Sequence, residues 1–192
     1  MIASDRLIEA TRGLLWEWGY EGTSPKDIQK RSGVGQGSMY HHFAGKQELA
    51  CAAIERTVDD LLHGIDEQFS GPGSALQRLE RYVARDRDVL RGCAIGRLTS
   101  ELSIVGNDLL RRPVERFFTE LRKRISSLVL EGQQAQDLRA GLDPDTLACT
   151  LIAILQGGYV MARAGQSVEP YAKAVDGARL LLASFRASRS GE

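Results

Sequence analysis

Apolar residues recur along most of the chain at spacings of about three, four and seven, a pattern that predicts helices. The first such stripe contains Ile2, Leu7, Ile8, Leu14, Leu15 and Trp18. After it, the pattern predicts helices at about 25–31, 36–42, 46–69, 74–90, 93–105, 107–135, 143–163 and 168–187. No stretch of four or more residues shows convincing β-alternation, and no repeat is present. We therefore predict an all-α protein of about nine helices.

Start and stop signals sharpen several of these boundaries. Ser24 is a predicted N-cap, with Pro25 at the first helical position, and Gly33 is a predicted left-handed cap at the end of that helix. Asn107 and Asp143 are further predicted N-caps. Pro113 falls inside the 107–135 pattern and indicates a late start or a kink there. Gly71, Pro72 and Gly73 form the clearest break in the chain.

The segment 24–49 combines two short predicted helices with a glycine-containing turn, which is the helix-turn-helix pattern. Val34 would fill the space beneath the turn, and Met39 and Phe43 share one helix face that can pack inward. The remaining surface then carries hydrogen-bonding side chains suited to phosphates and groove edges, namely Gln36, Ser38, Tyr40, His41 and His42. The same glycines would also suit ordinary surface turns.

Local charge favours DNA as the partner of this segment. Residues 22–47 hold four basic side chains against Asp27 alone, a local charge of +3, although 25 basic and 25 acidic residues cancel over the 192-residue chain. Lys46 begins the next predicted helix, so its ammonium and the free backbone N–H groups can meet one phosphate together.

Other compositional features narrow the setting. The three scattered cysteines, Cys51, Cys93 and Cys149, form no CxxC motif and no Cys/His cluster with zinc spacing, so we expect reduced thiols and no metal. The first residues lack the apolar core of a signal peptide, and the longest apolar run, within 147–155, is too short to span a bilayer. We expect a soluble, cytoplasmic protein with no membrane partner and no cofactor.

Residues 7–50 resemble the DNA-binding domain of the TetR family of transcriptional regulators. The matching features are Gly19-Tyr20, Thr23, Ile28, Gly33-Val34, the run from Ser38 to Phe43, Lys46 and Glu48-Leu49. The resemblance implies a homodimer on a palindromic operator, released by a small-molecule effector. It implies a DNA-binding domain at 1–47 and a ligand-binding and dimerisation domain at 48–187, joined through helix 46–69. Independently of the resemblance, residues 188–192 are predicted to form a frayed, flexible tail.

Carried over by position, the resemblance and the helix pattern together predict a set of DNA-binding residues. Two departures from the family are Gly35, where many members carry a capping Ser or Thr, and Gly37, which has no side chain to read a base. The predicted DNA-binding residues are Thr23, Ser24, Gln36, Gly37, Ser38, Tyr40, His41, His42 and Lys46.

The stretch RGCAIGRLTSEL at 91–102 resembles the GCxxGxLxxEL segment of one subgroup of TetR regulators. In the family, the helix here lies between the effector pocket and the fourth helix. As a set, the side chains expected around it suggest a mostly apolar cavity for a small, mostly apolar effector, although for any single one of them core packing is the more common role. The predicted pocket residues are Tyr82, Cys93, Leu98, Thr99, Leu102, Phe117, Phe118, Leu121, Ile125, Gln156 and Tyr159.

The last two predicted helices are apolar on more than one face, which predicts packing partners on several sides. The family's dimer interface of paired helices fits this pattern, and so does a larger monomeric core. The predicted interface residues are Leu151, Ile154, Leu155, Ala174, Ala178, Leu181, Leu182 and Phe185.

Other classes of function are disfavoured to different degrees. No acid, base or nucleophile motif converges, so an enzyme is not predicted and no catalytic residue is assigned. A repressor that senses redox state through Cys93, beside Arg91 and Arg97, is the main alternative. A non-specific architectural DNA-binding protein would bind all duplexes equally.

Overall fold

The computed structural model describes residues 2–187, which form nine α-helices, a 3₁₀ helix at Gly96–Ser100 and no β-strand. This confirms the predicted all-α class. Met1 and the predicted flexible tail at 188–192 lie outside the described residues. The helices are α1 (Ala3–Trp18), α2 (Pro25–Ser32), α3 (Gln36–His42), α4 (Lys46–Phe69), α5 (Ala75–Ala84), α6 (Leu102–Val105), α7 (Asp108–Gln134), α8 (Pro144–Gly165) and α9 (Glu169–Ser184).

The described residues divide into two compact units. Unit 1 contains residues 2–61 and 93–118, and unit 2 contains residues 62–92 and 119–187. The functional boundary predicted after residue 47 stays a prediction.

One apolar core joins the first four helices of unit 1. Ala3, Ile8 and Phe43 are partly buried against this core. Its buried members are Leu7, Leu14, Ile28, Val34, Met39 and Leu49. The predicted inward packing of Ile28, Val34, Met39 and Phe43 is therefore confirmed.

The structure departs most from the predicted helices at 74–90 and 93–105. Helix α5 ends at Ala84, because Arg85 takes an extended backbone conformation, whereas the pattern extended to residue 90. The continuous helix predicted at 93–105 is wrong: a 3₁₀ helix and the single-turn α6 replace it. Gly92 has a φ of +84°, and Glu101 is extended between the two short helices, so the α-helical hydrogen-bond ladder cannot run through.

Helix α7 contains Pro113 in its interior and does not start late. Proline has no backbone N–H, so the Leu109 carbonyl loses its partner four residues along the helix. The Cys51 thiol of α4 donates to that carbonyl, with 3.3 Å between sulfur and oxygen. Burial raises the pKa of the Cys51 thiol and so keeps it in the protonated form that can donate.

In unit 2, α8 begins with Pro144 after the predicted cap Asp143, whose side chain accepts the Thr146 N–H at 2.8 Å. Gln166, with a φ of 47°, ends α8 and allows the chain to turn into α9. The two helices pack closely where α8 carries Gly158. A Cβ there would lie only 3.0 Å from side-chain atoms of Tyr171 and Ala174.

The apolar composition of α8 has a packing explanation. By length and composition alone it is the one helix among residues 2–187 that could cross a membrane, a test that core helices of soluble proteins also pass. One side of α8 is buried within unit 2 through residues that include Leu151 and Leu155. The other side exposes Val160 and Met161.

This arrangement corrects half of the predicted dimer interface. Leu151, Leu155, Ala178 and Leu182 are at most 4% exposed, so they pack inside the subunit itself. Ile154, Ala174, Leu181 and Phe185 are only partly buried. The most exposed large apolar side chains of α8 and α9 are instead Val160, Met161 and Leu180, at 69%, 51% and 73% exposure.

Candidate nucleic-acid interface

Helix α2 begins with a reciprocal cap. The Ser24 Oγ accepts the Asp27 N–H at 3.2 Å, and the Asp27 carboxylate accepts the Ser24 N–H at 3.1 Å. The pKa of Asp27 is held below its usual value by its hydrogen bonds with Ser24. The bond to the Ser24 side chain has the larger effect, and the bond to the Ser24 backbone has the smaller one. Pro25 at the first helical position has no N–H to leave unpaired, so the predicted start of α2 is confirmed.

The turn between α2 and α3 depends on Gly33. Its φ of 65° is left-handed, and its N–H donates to Gln29 O at 2.9 Å, which closes α2. A Cβ at Gly33 would come within 2.6 Å of the Arg6 guanidinium, which itself donates to the Ser32 carbonyl. The Val34 N–H donates to Ser32 Oγ at 3.2 Å, and the Val34 side chain is buried below the turn.

Helix α3 is anchored from behind and polar in front. Met39 is only 1% exposed and belongs to the core, whereas Tyr40 is 49% exposed. No side chain caps α3 at Gly35, in agreement with the departure noted in the sequence. The exposed front consists of Gln36, Gly37, Ser38, Tyr40, His41 and His42.

Basic side chains flank this front. Lys26 and Lys30 of α2 are exposed and form no ion pair among the described residues. Arg31 is paired with Glu17 at 2.7 Å, so its charge is partly compensated. The surface around α2 and α3 therefore keeps a positive charge that can face phosphates.

Lys46 begins α4 and lies over the ring of Tyr20, with 4.0 Å between its Nζ and the ring centroid. Burial lowers the pKa of Lys46, while the carboxylates of Glu101 and Glu21 act in the opposite direction. A backbone phosphate placed beside this ammonium would add a negative charge and favour its protonated form.

Two of the predicted DNA-binding residues, Thr23 and Ser24, need correction. Thr23 is 2% exposed, its hydroxyl donates to Gly19 O at 2.6 Å and its N–H donates to Tyr20 O, so both of its donors are used inside the protein. Ser24 spends its N–H and its hydroxyl on Asp27. Both residues position α2, and neither has a free donor for DNA.

The predicted pocket residues are divided between the two units. In unit 1, Leu98 and Phe117 are buried, Cys93 and Phe118 are partly buried, and Thr99 and Leu102 are exposed. Leu102 is 81% exposed, so its assignment to an enclosed cavity of unit 1 is wrong. In unit 2, the buried members are Tyr82, Leu121 and Ile125, and the partly buried members are Gln156 and Tyr159.

The sequence did not reveal the connection that ties the 91–102 segment to the end of α1. The Glu101 carboxylate accepts the N–H groups of Tyr20 and Glu21 at 3.0 and 2.7 Å. In return, the Glu21 carboxylate accepts the Ser103 hydroxyl at 2.8 Å and its N–H at 3.3 Å. Arg97 also donates to the Trp16 carbonyl. We call the Glu101 and Glu21 contacts the Glu101–Glu21 bridge.

Comparisons with known proteins match both the helix-turn-helix region and the helices that follow it. The family described as "Bacterial regulatory proteins, tetR family" matches residues 7–53, and "Tetracyclin repressor-like, C-terminal domain" matches residues 74–178. The HTH-type transcriptional repressor DhaR of Mycobacterium sp. (strain GP1) is 32% identical over 169 residues, which cover 85% of this chain and 84% of DhaR.

Solved structures agree on the fold. A TetR transcriptional regulator from Chloroflexus aurantiacus superposes with a TM-score of 0.87 at 25% identity, over 97% of each chain. A TetR-family regulator from Cytophaga hutchinsonii gives a TM-score of 0.88 at 21% identity, over 97% of this chain and 96% of the other.

Proposed function

Because this chain belongs to the TetR family of bacterial transcriptional regulators, we propose that it is a ligand-responsive repressor that binds a palindromic operator as a homodimer. In this proposal it acts in the cytoplasm, where it reaches chromosomal DNA. Its partners are double-stranded DNA, a second copy of the chain and a small-molecule effector.

The observation that carries the proposal is the two-sided character of α3. Met39 fixes the back of the helix in the core, and the front presents Gln36, Ser38, Tyr40 and His42 to solvent. Side chains of this type can hydrogen-bond to base edges and phosphates in the major groove. Gly37 adds no side chain, so the specificity rests on its neighbours and on DNA shape.

A second copy of the chain accounts for the exposed apolar side chains of α8 and α9. Val160, Met161 and Leu180 each expose half or more of their surface, which a single subunit leaves in water. A two-fold contact through these helices would pair each patch with its copy. Two α3 helices would then lie about 34–36 Å apart, on half-sites one DNA turn apart.

The effector acts by favouring the conformation that does not fit the operator, since a ligand shifts an equilibrium only through different affinities for two states. Through the Glu101–Glu21 bridge, the 91–102 segment is hydrogen-bonded directly to the backbone that leads into α2. We propose that movement of this segment reaches α3 by that route.

The redox alternative is not favoured. The Cys93 sulfur accepts the Gly96 N–H at 3.2 Å, which gives it a structural role in its own turn. Peroxide treatment followed by mass measurement and a gel shift tests the alternative. If oxidation of Cys93 abolished operator binding, the redox-sensing alternative would be supported.

Selection from a random duplex library, followed by gel shifts at near-physiological salt, tests the proposed function. We expect enrichment of one palindrome and loss of its binding in Tyr40→Ala, with helicity and sedimentation unchanged. Tyr40→Phe is the matched control that removes only the hydroxyl. Equal affinity for all duplexes would instead indicate an architectural protein, and full binding by Tyr40→Ala would exclude α3 as the reading helix.

Sedimentation of Val160→Asp tests the second copy. We expect monomers, because a carboxylate in the centre of an apolar contact leaves an unpaired buried charge. A dimer that persists in both Val160→Asp and Leu180→Asp would place the interface elsewhere.

A further inference from the structure

The end of α5 in unit 2 holds two arginines with no acidic partner. Arg87 donates to the carbonyls of Tyr82, Val83 and Arg85 at 2.6, 2.8 and 2.9 Å, and so closes the helix end. Arg85 is partly buried and forms no hydrogen bond or ion pair through its side chain among residues 2–187. Its guanidinium therefore has unused donors.

The ring of Tyr82 lies beside the guanidinium groups of both arginines. The Cζ of Arg85 lies 5.1 Å from the ring centroid of Tyr82, and the Cζ of Arg87 lies 5.3 Å from the same centroid. On α8 and α9, the rings of Tyr159 and Tyr171 are 4.7 Å apart, and both tyrosines are close enough to act on the charge of Arg85. The group thus combines flat apolar rings with two cations, of which Arg85 has unused donors.

The electrostatics of the group are unfavourable as it stands. The pKa of Arg85 is lowered mainly by burial and next by the positive charge of the neighbouring Arg87. No carboxylate raises this pKa in compensation. The neighbouring acids, Asp86 and Asp88, are exposed, and the Asp88 carboxylate accepts the Arg91 backbone N–H at 3.3 Å. A desolvated cation beside a like charge costs stability, and such arrangements are typical of binding sites that await an anion.

We propose that Arg85 anchors the effector, and that the effector is a carboxylate with a flat apolar body that lies against Tyr82, Tyr159 and Tyr171. The planar guanidinium fork can donate two parallel hydrogen bonds to a carboxylate, and the rings can cover the apolar body. This inference rests on the proposed function and deepens it, because it names the class of effector. The sequence indicated Tyr82 and Tyr159 but neither Arg85 nor Tyr171.

Calorimetric titration of the full chain with sodium benzoate tests the anion site, with benzyl alcohol as the neutral match and inorganic phosphate as the plain oxyanion. We expect benzoate to bind and benzyl alcohol to bind at least about tenfold more weakly, as loss of a charge-assisted hydrogen bond predicts. If phosphate bound as tightly as benzoate, the claim that the site recognises an apolar body would be wrong. Absence of binding by benzoate and 2-naphthoate alike would overturn the proposal, and hexanoate that binds as tightly as benzoate would overturn the flat body.

Variants locate the site. Arg85→Met should abolish the advantage of benzoate over benzyl alcohol, and Arg85→Lys should retain part of it, since lysine keeps the charge without the fork. Arg81→Met, one turn earlier on α5 and exposed, is the matched control and should bind benzoate like the parent. Equal benzoate affinity in Arg85→Met and the parent would exclude Arg85.

Thermal unfolding without ligand separates a binding role from a structural one. If Arg85 is held for an anion, Arg85→Met should raise the Tm of the ligand-free protein, because it removes a desolvated charge beside Arg87. A lower Tm would identify Arg85 as structural.

A gel shift separates this inference from the proposed function. Benzoate should release the parent protein, but not Arg85→Met, from the selected palindrome. Arg85-dependent benzoate binding by a protein that recognises no palindrome would leave the anion site standing and reject the repressor. A palindrome bound without any response to carboxylates would leave the DNA reader standing and reject the inference.

Discussion

The Glu101 carboxylate holds the backbone N–H of Tyr20 at 3.0 Å, across 81 residues of sequence. The second oxygen of Glu101 accepts a hydrogen bond from the Glu21 N–H at 2.7 Å. The Glu21 carboxylate in turn accepts a hydrogen bond from the Ser103 hydroxyl. Since Tyr20 lies just after α1 and just before the cap of α2, this contact positions the chain that enters α2 and α3, the proposed DNA-reading helices. A shift of the 3₁₀ helix and α6 would therefore pull directly on that entry.

The contribution of the Glu101–Glu21 bridge to stability should be measurable with the variant Glu101→Gln. Glutamine keeps one acceptor oxygen but turns an NH₂ group toward a backbone donor. The free energy of unfolding should fall by about 1–2 kcal/mol, as measured by urea denaturation. The operator response to the effector should also weaken. Glu115→Gln is the control, because among residues 2–187 Glu115 forms its ion pair within α7, with Arg111. Equal stability of the two variants would show that the bridge contributes nothing.

Lys46→Met should weaken binding to every duplex by a similar factor. Loss of one phosphate contact should reduce the slope of log K against log salt by about 0.9. The tyrosine ring beneath Lys46 can accommodate the methionine side chain, so the fold should be retained. Lys123→Met, an exposed charge in unit 2, is the matched control. A slope that stays the same in Lys46→Met would show that this ammonium meets no phosphate.

Local sequence predicted much of unit 1 but not its long-range contacts. Ser24 with Pro25, the left-handed Gly33, and the shared face of Met39 and Phe43 each follow from chemistry within a few residues, and all appear in the structure. The contact of Glu101 with Tyr20 has no local signal, because neither residue type nor spacing shows which distant backbone a carboxylate will meet.

The errors have a common physical cause. An apolar pattern shows that a side chain will be covered, and it does not show by what. Leu151 and Leu182 fit an interface pattern and are covered by their own subunit, whereas Leu102 fits a pocket pattern and is exposed. Arg85 was not among the predicted site residues, because a charged residue in a helical pattern is expected to face solvent, and only the fold places the ring of Tyr82 beside it.

The two glycines around α3 should respond to alanine in opposite directions. Gly33→Ala should lower the free energy of unfolding by about 1–2 kcal/mol, because its φ of 65° is costly for a residue with a Cβ. Gly37→Ala should raise it by about 0.5–1 kcal/mol, since that site lies within the helix and a Cβ there meets no atom within 4 Å. Urea denaturation checks both. A loss in Gly37→Ala would contradict the helical position of that residue.

The cap of α2 should give stability a dependence on acid. The pKa of Asp27 is lowered in the folded protein, so its contribution is complete above the unfolded pKa, about 3.9, and disappears as pH falls through the lower folded value. The difference in urea midpoint between the parent and Asp27→Ala should therefore be constant near neutrality and shrink below about pH 4. In a Ser24→Ala background the pH-dependent part should be much smaller. A difference that does not change with pH would show that the cap does not depend on the charge of Asp27.

The thiol of Cys51 and the ring of Pro113 should be coupled through the carbonyl of Leu109. Cys51→Ala should cost about 1 kcal/mol, because the Leu109 carbonyl is left without a protein donor, whereas Cys51→Ser keeps a donor and should cost less. Pro113→Ala restores a backbone N–H four residues after Leu109, so in that background the carbonyl no longer needs the thiol. Urea denaturation of the four members of this double-mutant cycle should show that most of the cost of Cys51→Ala disappears when residue 113 is alanine. An unchanged cost would mean that Cys51 stabilises α4 and α7 by packing alone, and that the hydrogen bond to Leu109 does not compensate for the proline.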